Sequence, residues 1–159
     1  MTDRACDQSG MTRRIASAKS RAMIDSIPHP DAAVREAILA PLRAHNDAAA
    51  GPTERHDVAL AVRDDSGAIV GGLWGTTGYR WLFVQYLALP PERRGRGEGR
   101  ALMLAAEEEA RRLGCIGVWL DTYSFQARGF YEKLGYAVFG RIDDYPPGEA
   151  RHFLSKRID

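Results

Sequence analysis

Hydrophobic and polar positions alternate with different periods along this chain, and each change of period marks an element. Met23 to Ile27 is a short apolar run ended by Pro28-His29-Pro30, and it predicts a brief strand. Asp31 is placed to cap a helix in which Val34, Ala37, Ile38 and Leu42 fall at helical spacing. Pro41 interrupts that face, so a kink or two short helices is expected before Gly51-Pro52 stops the pattern. Val58 to Arg63 partly alternates and predicts a strand, Asp64-Asp65-Ser66-Gly67 is a turn by composition, and Ile69 to Thr77 is the returning strand of a hairpin. Gly71, Gly72 and Gly75 weaken that second strand unless another backbone or a ligand lies close. Gly78-Tyr79 turns the chain again. Trp81 to Leu89, apolar with few charges, reads as a central strand covered on both faces.

The period then lengthens. Between Gly97 and Leu113, Leu102, Ala105, Ala106, Ala110 and Leu113 share one helical face, with Glu107, Glu108, Arg111 and Arg112 expected elsewhere. Gly114 is placed to end this helix, and Ile116 to Leu120 predicts another buried strand. A strand, a helix and a strand in this order form a crossover, so the two strands should run parallel. Ala127 to Leu134 predicts a shorter helix before Gly135, and Tyr136 to Ile142 and His152 to Ile158 predict the last strands, joined by the loop Asp143 to Gly148. The pattern describes an α/β (α+β) fold with a mixed, mainly antiparallel sheet, one parallel strand pair and flanking helices.

A length of 159 residues suits one domain. The ordered domain is expected over 22–159, and residues 1–21 are expected to form a disordered tail. Met11 to Arg21 weakly resembles an organelle transit peptide, but Asp3 and Asp7 argue against that reading. The formal net charge of +1 does not favour a nucleic-acid partner. No apolar run approaches the roughly 20 residues that span a bilayer, so no membrane partner is expected. The two cysteines, Cys6 and Cys115, form no CxxC pair and suggest a reducing, cytoplasmic setting, with Cys115 as a small core residue. No metal site is expected.

Local charge is more informative. In Leu87 to Leu102 a buried strand runs into a glycine-rich loop that opens a helix, and Arg93, Arg94, Arg96 and Arg100 crowd it. The first turn of a helix presents unpaired N–H groups and a partial positive charge, and glycines let a phosphate approach closely. The segment therefore predicts phosphate or pyrophosphate binding. It is not a mononucleotide P-loop, since no Lys-Ser or Lys-Thr follows. The dinucleotide fingerprint fits poorly, because Gly95, Gly97 and Gly99 are evenly spaced, although Asp121 ends the next predicted strand where a ribose-binding acid would sit.

Arg94, Gly97 and Gly99 form an Arg-x-x-Gly-x-Gly pattern, and a helix and a strand later the chain reads SFQARGFYEKLGY, with Ser124, Ala127, Tyr131, Lys133, Gly135 and Tyr136 at spaced positions. With both motifs in this order, from about Ala22 to the end, the chain resembles the GNAT family of acetyltransferases. The resemblance implies a single-domain GNAT fold whose parallel strand pair splays apart to admit the pantetheine arm of acetyl-CoA (coenzyme A). It implies that the amides of Leu87 and Leu89 meet the pantetheine and the thioester carbonyl. It places the pyrophosphate on Arg94, Gly95, Arg96, Gly97, Gly99 and Arg100, and makes Tyr131 the acid that protonates the leaving thiolate. Ser124 stands where the family has Asn, and Gln126 could reach a pantetheine amide in its stead.

Glu98 replaces an aliphatic residue between two glycines and is expected to turn outward. The strand before the loop carries Gln85 rather than a Glu, so no general base is evident; Asp121, His45, Asp143 and Asp144 are candidates, beside a base acting through water or an amine that arrives neutral. Trp74, Trp81, Tyr86, Trp119 and Tyr123 read as core aromatics, some of which could line an acceptor site. The acidic loop from Asp143 to Gly148 suits a site wall for a cationic amine, a dimer contact or a solvated loop. The function expected is acetyl transfer from acetyl-CoA to a primary amine, small molecule or peptide, by direct attack, with a homodimer as a further expectation. A non-catalytic CoA-binding module and a small dinucleotide-binding protein stand as alternatives.

Overall fold

The computed structural model describes residues 14–16 and 23–159. Cys6 and most of the expected tail lie outside them; of that tail, Arg14–Ala16 form strand β1, paired antiparallel with β2, Met23–Asp25. The chain divides after Pro52 into two compact units.

The first unit holds α1, Ala32–Ala50. Asp31 caps it as expected, its Oδ1 accepting from the Val34 amide at 2.9 Å. The helix runs through Pro41 as one element rather than two. Proline removes one N–H donor there, and because no residue of α1 is buried, the carbonyl left over can turn to water.

The second unit is built on a six-stranded sheet: β3 (Asp57–Arg63), β4 (Ile69–Gly78), β5 (Trp81–Ala88), β6 (Gly117–Tyr123), β7 (Ala137–Asp143) and β8 (Ala150–Arg157). Their spatial order is β3-β4-β5-β6-β8-β7, and only β5 and β6 run parallel. The long helix α2 (Glu98–Arg112) makes the crossover between them, and α3 (Arg128–Lys133) follows β6. The glycines of β4 are explained by crowding: a Cβ on Gly72 would lie 2.1 Å from the Leu60 carbonyl oxygen, and one on Gly75 2.6 Å from that of Phe83. The neighbouring backbone that could justify them is there.

One face of the sheet is the core. Val58, Leu73, Leu82, Val84, Val118, Leu120 and Leu154 pack with Leu102, Met103, Ala106 and Ala110 of α2. Glu107 belongs to this buried face, contrary to the pattern reading, and is 2% exposed. Lys156 donates to both its oxygens at 2.8 Å and the Tyr136 hydroxyl donates at 3.1 Å, so the charge is paired where it is buried.

The opposite face is open, so β5 is covered on one side only. Trp81, Phe83, Trp119, Phe139 and Phe153 line it, with Phe83 and Trp119 stacked at 3.8 Å. The aromatics expected in the core are instead here or at its margins: Trp74 and Tyr86 are exposed, and Trp81, Trp119 and Tyr123 are half-buried. Aliphatic side chains and two tyrosines, Tyr131 and Tyr136, fill the core in their place.

Candidate active site

The parallel pairing of β5 and β6 runs from Trp81–Gly117 to Val84–Leu120 and stops, although β5 continues to Ala88 and β6 to Tyr123. The outer neighbours explain the parting. β6 stays paired with β8 as far as Tyr123–Arg151. On the other side, Gly75 faces Val84 but Trp74 faces Tyr86, so Gln85 is an extra residue in β5. A bulge of this kind bends the strand that carries it and increases its twist. Leu87 remains in the β4 ladder opposite Leu73, and Leu89 follows the strand end.

The chain then makes a 3-10 turn over Pro91–Arg93 and reaches Gly97, the N-cap of α2, with φ 85°. That left-handed conformation suits glycine, as does Gly95 at φ 73°. No side chain caps α2. The first-turn amides of Glu98, Gly99 and Arg100 therefore lack intrahelical partners, and the first helical bond runs from Ala101 N to Gly97 O at 3.0 Å. A Cβ on Gly99 would lie 3.4 Å from Phe130 Cζ and 3.7 Å from Leu89 Cδ1. The strand end, the first turn of α2 and the body of α3 thus meet at Gly99.

The arginines divide into two pairs. Arg94 donates from Nε to the Leu89 carbonyl at 2.9 Å, and Arg93 donates to Glu98 at 3.1 Å and to the Arg63 carbonyl at 3.0 Å. Arg96 and Arg100 are exposed and enter no ion pair among the described residues. Glu98 does not turn outward as expected; it folds onto Arg93, and its second oxygen is buried without a partner.

Tyr131 is 8% exposed, with Phe130 edge-on at 4.9 Å and Tyr136 at 6.2 Å. Burial, with a smaller push from the negative charge of Asp121, raises its phenol to about 12. The hydroxyl therefore stays protonated at neutral pH. Ser124 is committed elsewhere: its hydroxyl bonds Glu149 and accepts from the Ala150 amide at 2.9 Å. Gln126 accepts from Thr122 and from the Tyr123 amide through Oε1, which leaves its NH₂ group as the donor end.

Each candidate base has its own setting. Asp121 is half-buried and held by Arg151 at 2.6 Å, a guanidinium that also lies 5.3 Å from the Tyr123 ring and 5.4 Å from the Tyr145 ring. Asp143 pairs with Arg141 at 2.5 Å, Asp144 accepts from the Gly148 amide at 2.7 Å, and His45 is exposed on α1. Arg151 and His152 escaped the sequence reading. The alternation of β8 was the available signal, since it sends Arg151 to the open face and His152, 4% exposed, to the core side.

Among the described residues, no group of three or more His, Cys, Asp or Glu could hold a metal ion, and no helix is long and apolar enough to cross a membrane. Cys115 is buried and its thiol is pushed up by that burial, as a small core residue would be.

Comparison with known proteins gives a consistent answer. Residues 21–136 match the sequence profile of the acetyltransferase (GNAT) family. An acetyltransferase of Agrobacterium fabrum is 38% identical over 128 residues, covering 80% of this chain and 93% of that protein. The blasticidin-S acetyltransferase of Streptomyces morookaense is 42% identical over 95 residues, 59% of this chain and 70% of that one. The crystal structure of an acetyltransferase from Bacillus cereus superposes with a TM-score of 0.76 at 31% identity, over 83% of this chain and 96% of that chain.

Proposed function

This chain belongs to the acetyltransferase (GNAT) family, and from that premise we propose how its own residues serve the reaction and which acceptor it takes. It is an N-acetyltransferase, and acetyl-CoA is the co-substrate whose thioester supplies the acetyl group. Its acceptor is a small-molecule or peptide amine.

In our reading, the free amides of Glu98, Gly99 and Arg100 and the unpaired side chains of Arg96 and Arg100 hold the pyrophosphate. An uncapped helix end behind two glycines fits an anion in both charge and room. The amides of Leu87 and Leu89, beside the gap between β5 and β6, meet the pantetheine and the carbonyl. Gln126 offers its NH₂ group along the same path, whereas Ser124 is bonded to the chain itself. The observation that carries this reading is the meeting of Leu89, Gly99 and Phe130 at one point, because it brings the glycine loop, the parted strand and the helix of Tyr131 together.

Tyr131 is the hydroxyl that stabilises the departing thiolate. With its phenol near 12, above the ordinary thiol value of about 8.5, it acts by donating a hydrogen bond more than by giving up its proton outright. The amine's proton is left to water or to Asp121, whose charge Tyr131 senses. The likeness to a blasticidin-S acetyltransferase supports a small-molecule acceptor, and a reduced, buried Cys115 suits a cytoplasmic setting.

The test is calorimetric titration with acetyl-CoA and NADH, followed by an acetyl-transfer assay against small amines. Binding of acetyl-CoA and not NADH, with turnover that falls in Tyr131→Phe, is the expected result. Binding with no turnover on any amine would favour a non-catalytic CoA-binding module.

A further inference from the structure

Val84 and Leu120 are the last residues paired across the two parallel strands, so Gln85 and Asp121 are the first residue on each strand past the parting. Val84 and Leu120 lie in the core, and side chains alternate along a strand, so the next residue on each strand turns to the open face. Asp121 shares that face with Trp119, two residues before it, and Gln85 is exposed. A carboxamide and a carboxylate therefore flank the mouth of the gap from its two sides.

The ion pair of Asp121 uses only half of its carboxylate. Arg151 reaches it with Nε and Nη2, both at 2.6 Å and both on Oδ2. Oδ1 accepts no hydrogen bond among the described residues. Nor is it shut away from water: the buried side-chain atoms without a partner among those residues are Glu98 Oε2 and His152 Nδ1, and the Asp121 side chain is 14% exposed. Arg151 is itself fixed. Its Nη1 donates to the Tyr145 hydroxyl at 3.3 Å, and its guanidinium lies 5.3 Å from the Tyr123 ring, 5.4 Å from that of Tyr145 and 5.7 Å from that of Phe153. One oxygen of Asp121 is thus clamped and the other is left to meet a ligand. The charge of Asp121 also acts on the Tyr131 phenol, so the carboxylate and that hydroxyl are neighbours.

We infer that the acceptor's nitrogen is seated between Gln85 and Asp121, with Asp121 Oδ1 taking its proton and Arg151 acting as the positioning residue for that carboxylate. The inference rests on the reading of Tyr131 and acetyl-CoA given above, and goes past it by choosing the base and naming Gln85 and Arg151. The amine nitrogen forms a C–N bond to the thioester carbonyl carbon, and the carbonyl oxygen takes the displaced electron pair. The N–H grows acidic as that bond forms, so a carboxylate can receive its proton. The carbonyl then re-forms, the C–S bond breaks, and the thiolate leaves with a hydrogen bond from Tyr131. Asp121 releases the proton to solvent. Gln85 brings no charge; its carboxamide oxygen accepts a second N–H of the amine and aims the nitrogen lone pair at the carbonyl.

The experiment takes the small amine that the whole protein acetylates fastest and compares steady-state kinetics with calorimetric binding of acetyl-CoA. Asp121→Asn keeps an acceptor for Arg151 and removes the base, so kcat should fall about 100-fold. Gln85→Leu should raise the KM for the amine about tenfold and leave kcat within about threefold. Arg151→Met should lower kcat about tenfold, and Arg151→Lys, which keeps a cation, should recover part of the loss. In all four variants the Kd of acetyl-CoA should stay within about twofold, which a general loss of structure would not allow. Tyr131-dependent turnover with wild-type kcat in Asp121→Asn or in Arg151→Met, or with a wild-type amine KM in Gln85→Leu, would overturn the inference and leave the Tyr131 reading standing. Turnover that survives in Tyr131→Phe, or no turnover of any amine, overturns that reading and this inference with it.

Discussion

Val84 and Leu120 form the last pair between the two parallel strands, and past them the strands separate. The opening originates one residue later, at Gln85, which interrupts the β4–β5 register and bends β5 away. The same position lacks the acid that would have served as a base. The residue that shapes the gap thus contributes a backbone irregularity rather than a proton acceptor.

Tyr131→Phe removes the hydroxyl and keeps the packing against Phe130 and Tyr136. It should lower kcat by about 100-fold or more and leave the dissociation constant of acetyl-CoA within about twofold. Steady-state kinetics beside calorimetry separate the two effects. The pH dependence has a definite sign. The unfolded phenol ionises near 10 and the folded one near 12. Above pH 10 the unfolded state loses its proton first, so stability present below pH 10 drains away between pH 10 and 12. Urea melts across that window should show a shallower loss in Tyr131→Phe than in the wild type.

Gly97→Ala tests the left-handed cap of α2. Nothing lies within 4 Å of the added methyl, so conformational strain alone is introduced. A cost of about 1–2 kcal/mol is expected in denaturant unfolding, together with weaker acetyl-CoA binding as the first-turn amides are turned aside.

Lys156→Met removes the nearer of two cations from Glu107, which is 2% exposed, and leaves Arg111 at 3.7 Å. Loss of that charged partner from a buried carboxylate should cost about 1–3 kcal/mol. Replacing Glu107 by Leu in the same chain should recover most of the loss, and chemical denaturation of the single and double variants checks both statements.

Glu98→Gln removes a negative charge from the mouth of the proposed pyrophosphate site and releases Arg93. Relief of repulsion of roughly 0.5–1 kcal/mol should tighten acetyl-CoA binding by about two- to fivefold, with the gain shrinking as salt is added. Weaker binding in this variant would show instead that the Arg93–Glu98 pair holds the loop in shape.

The segments proposed to form the site are legible for local reasons. Glycines before a helix and a Tyr on the next short helix are signals carried by a few adjacent residues, and they could be read without knowing the sheet. The coverage of β5 was misread because an apolar run does not say how many layers lie over it. Glu107 was misplaced because a charged side chain scores as surface until its partner is known, and Lys156 lies 49 residues away. Nothing nearby in sequence claims the Ser124 hydroxyl, whereas Glu149 and Ala150 do so in space.

The order of strands and helices, the parallel crossover, the glycine-rich loop that opens α2 and the family are thus determined by the sequence itself. Periodicity and glycine placement act through steric and hydrogen-bonding rules that hold over a few residues. Tertiary structure alone decided where the strands part, which carboxylates are paired and which remain free, and that His152 is buried with a bare nitrogen. Those facts depend on distances between residues far apart in the chain, which are fixed only when the sheet and helices pack.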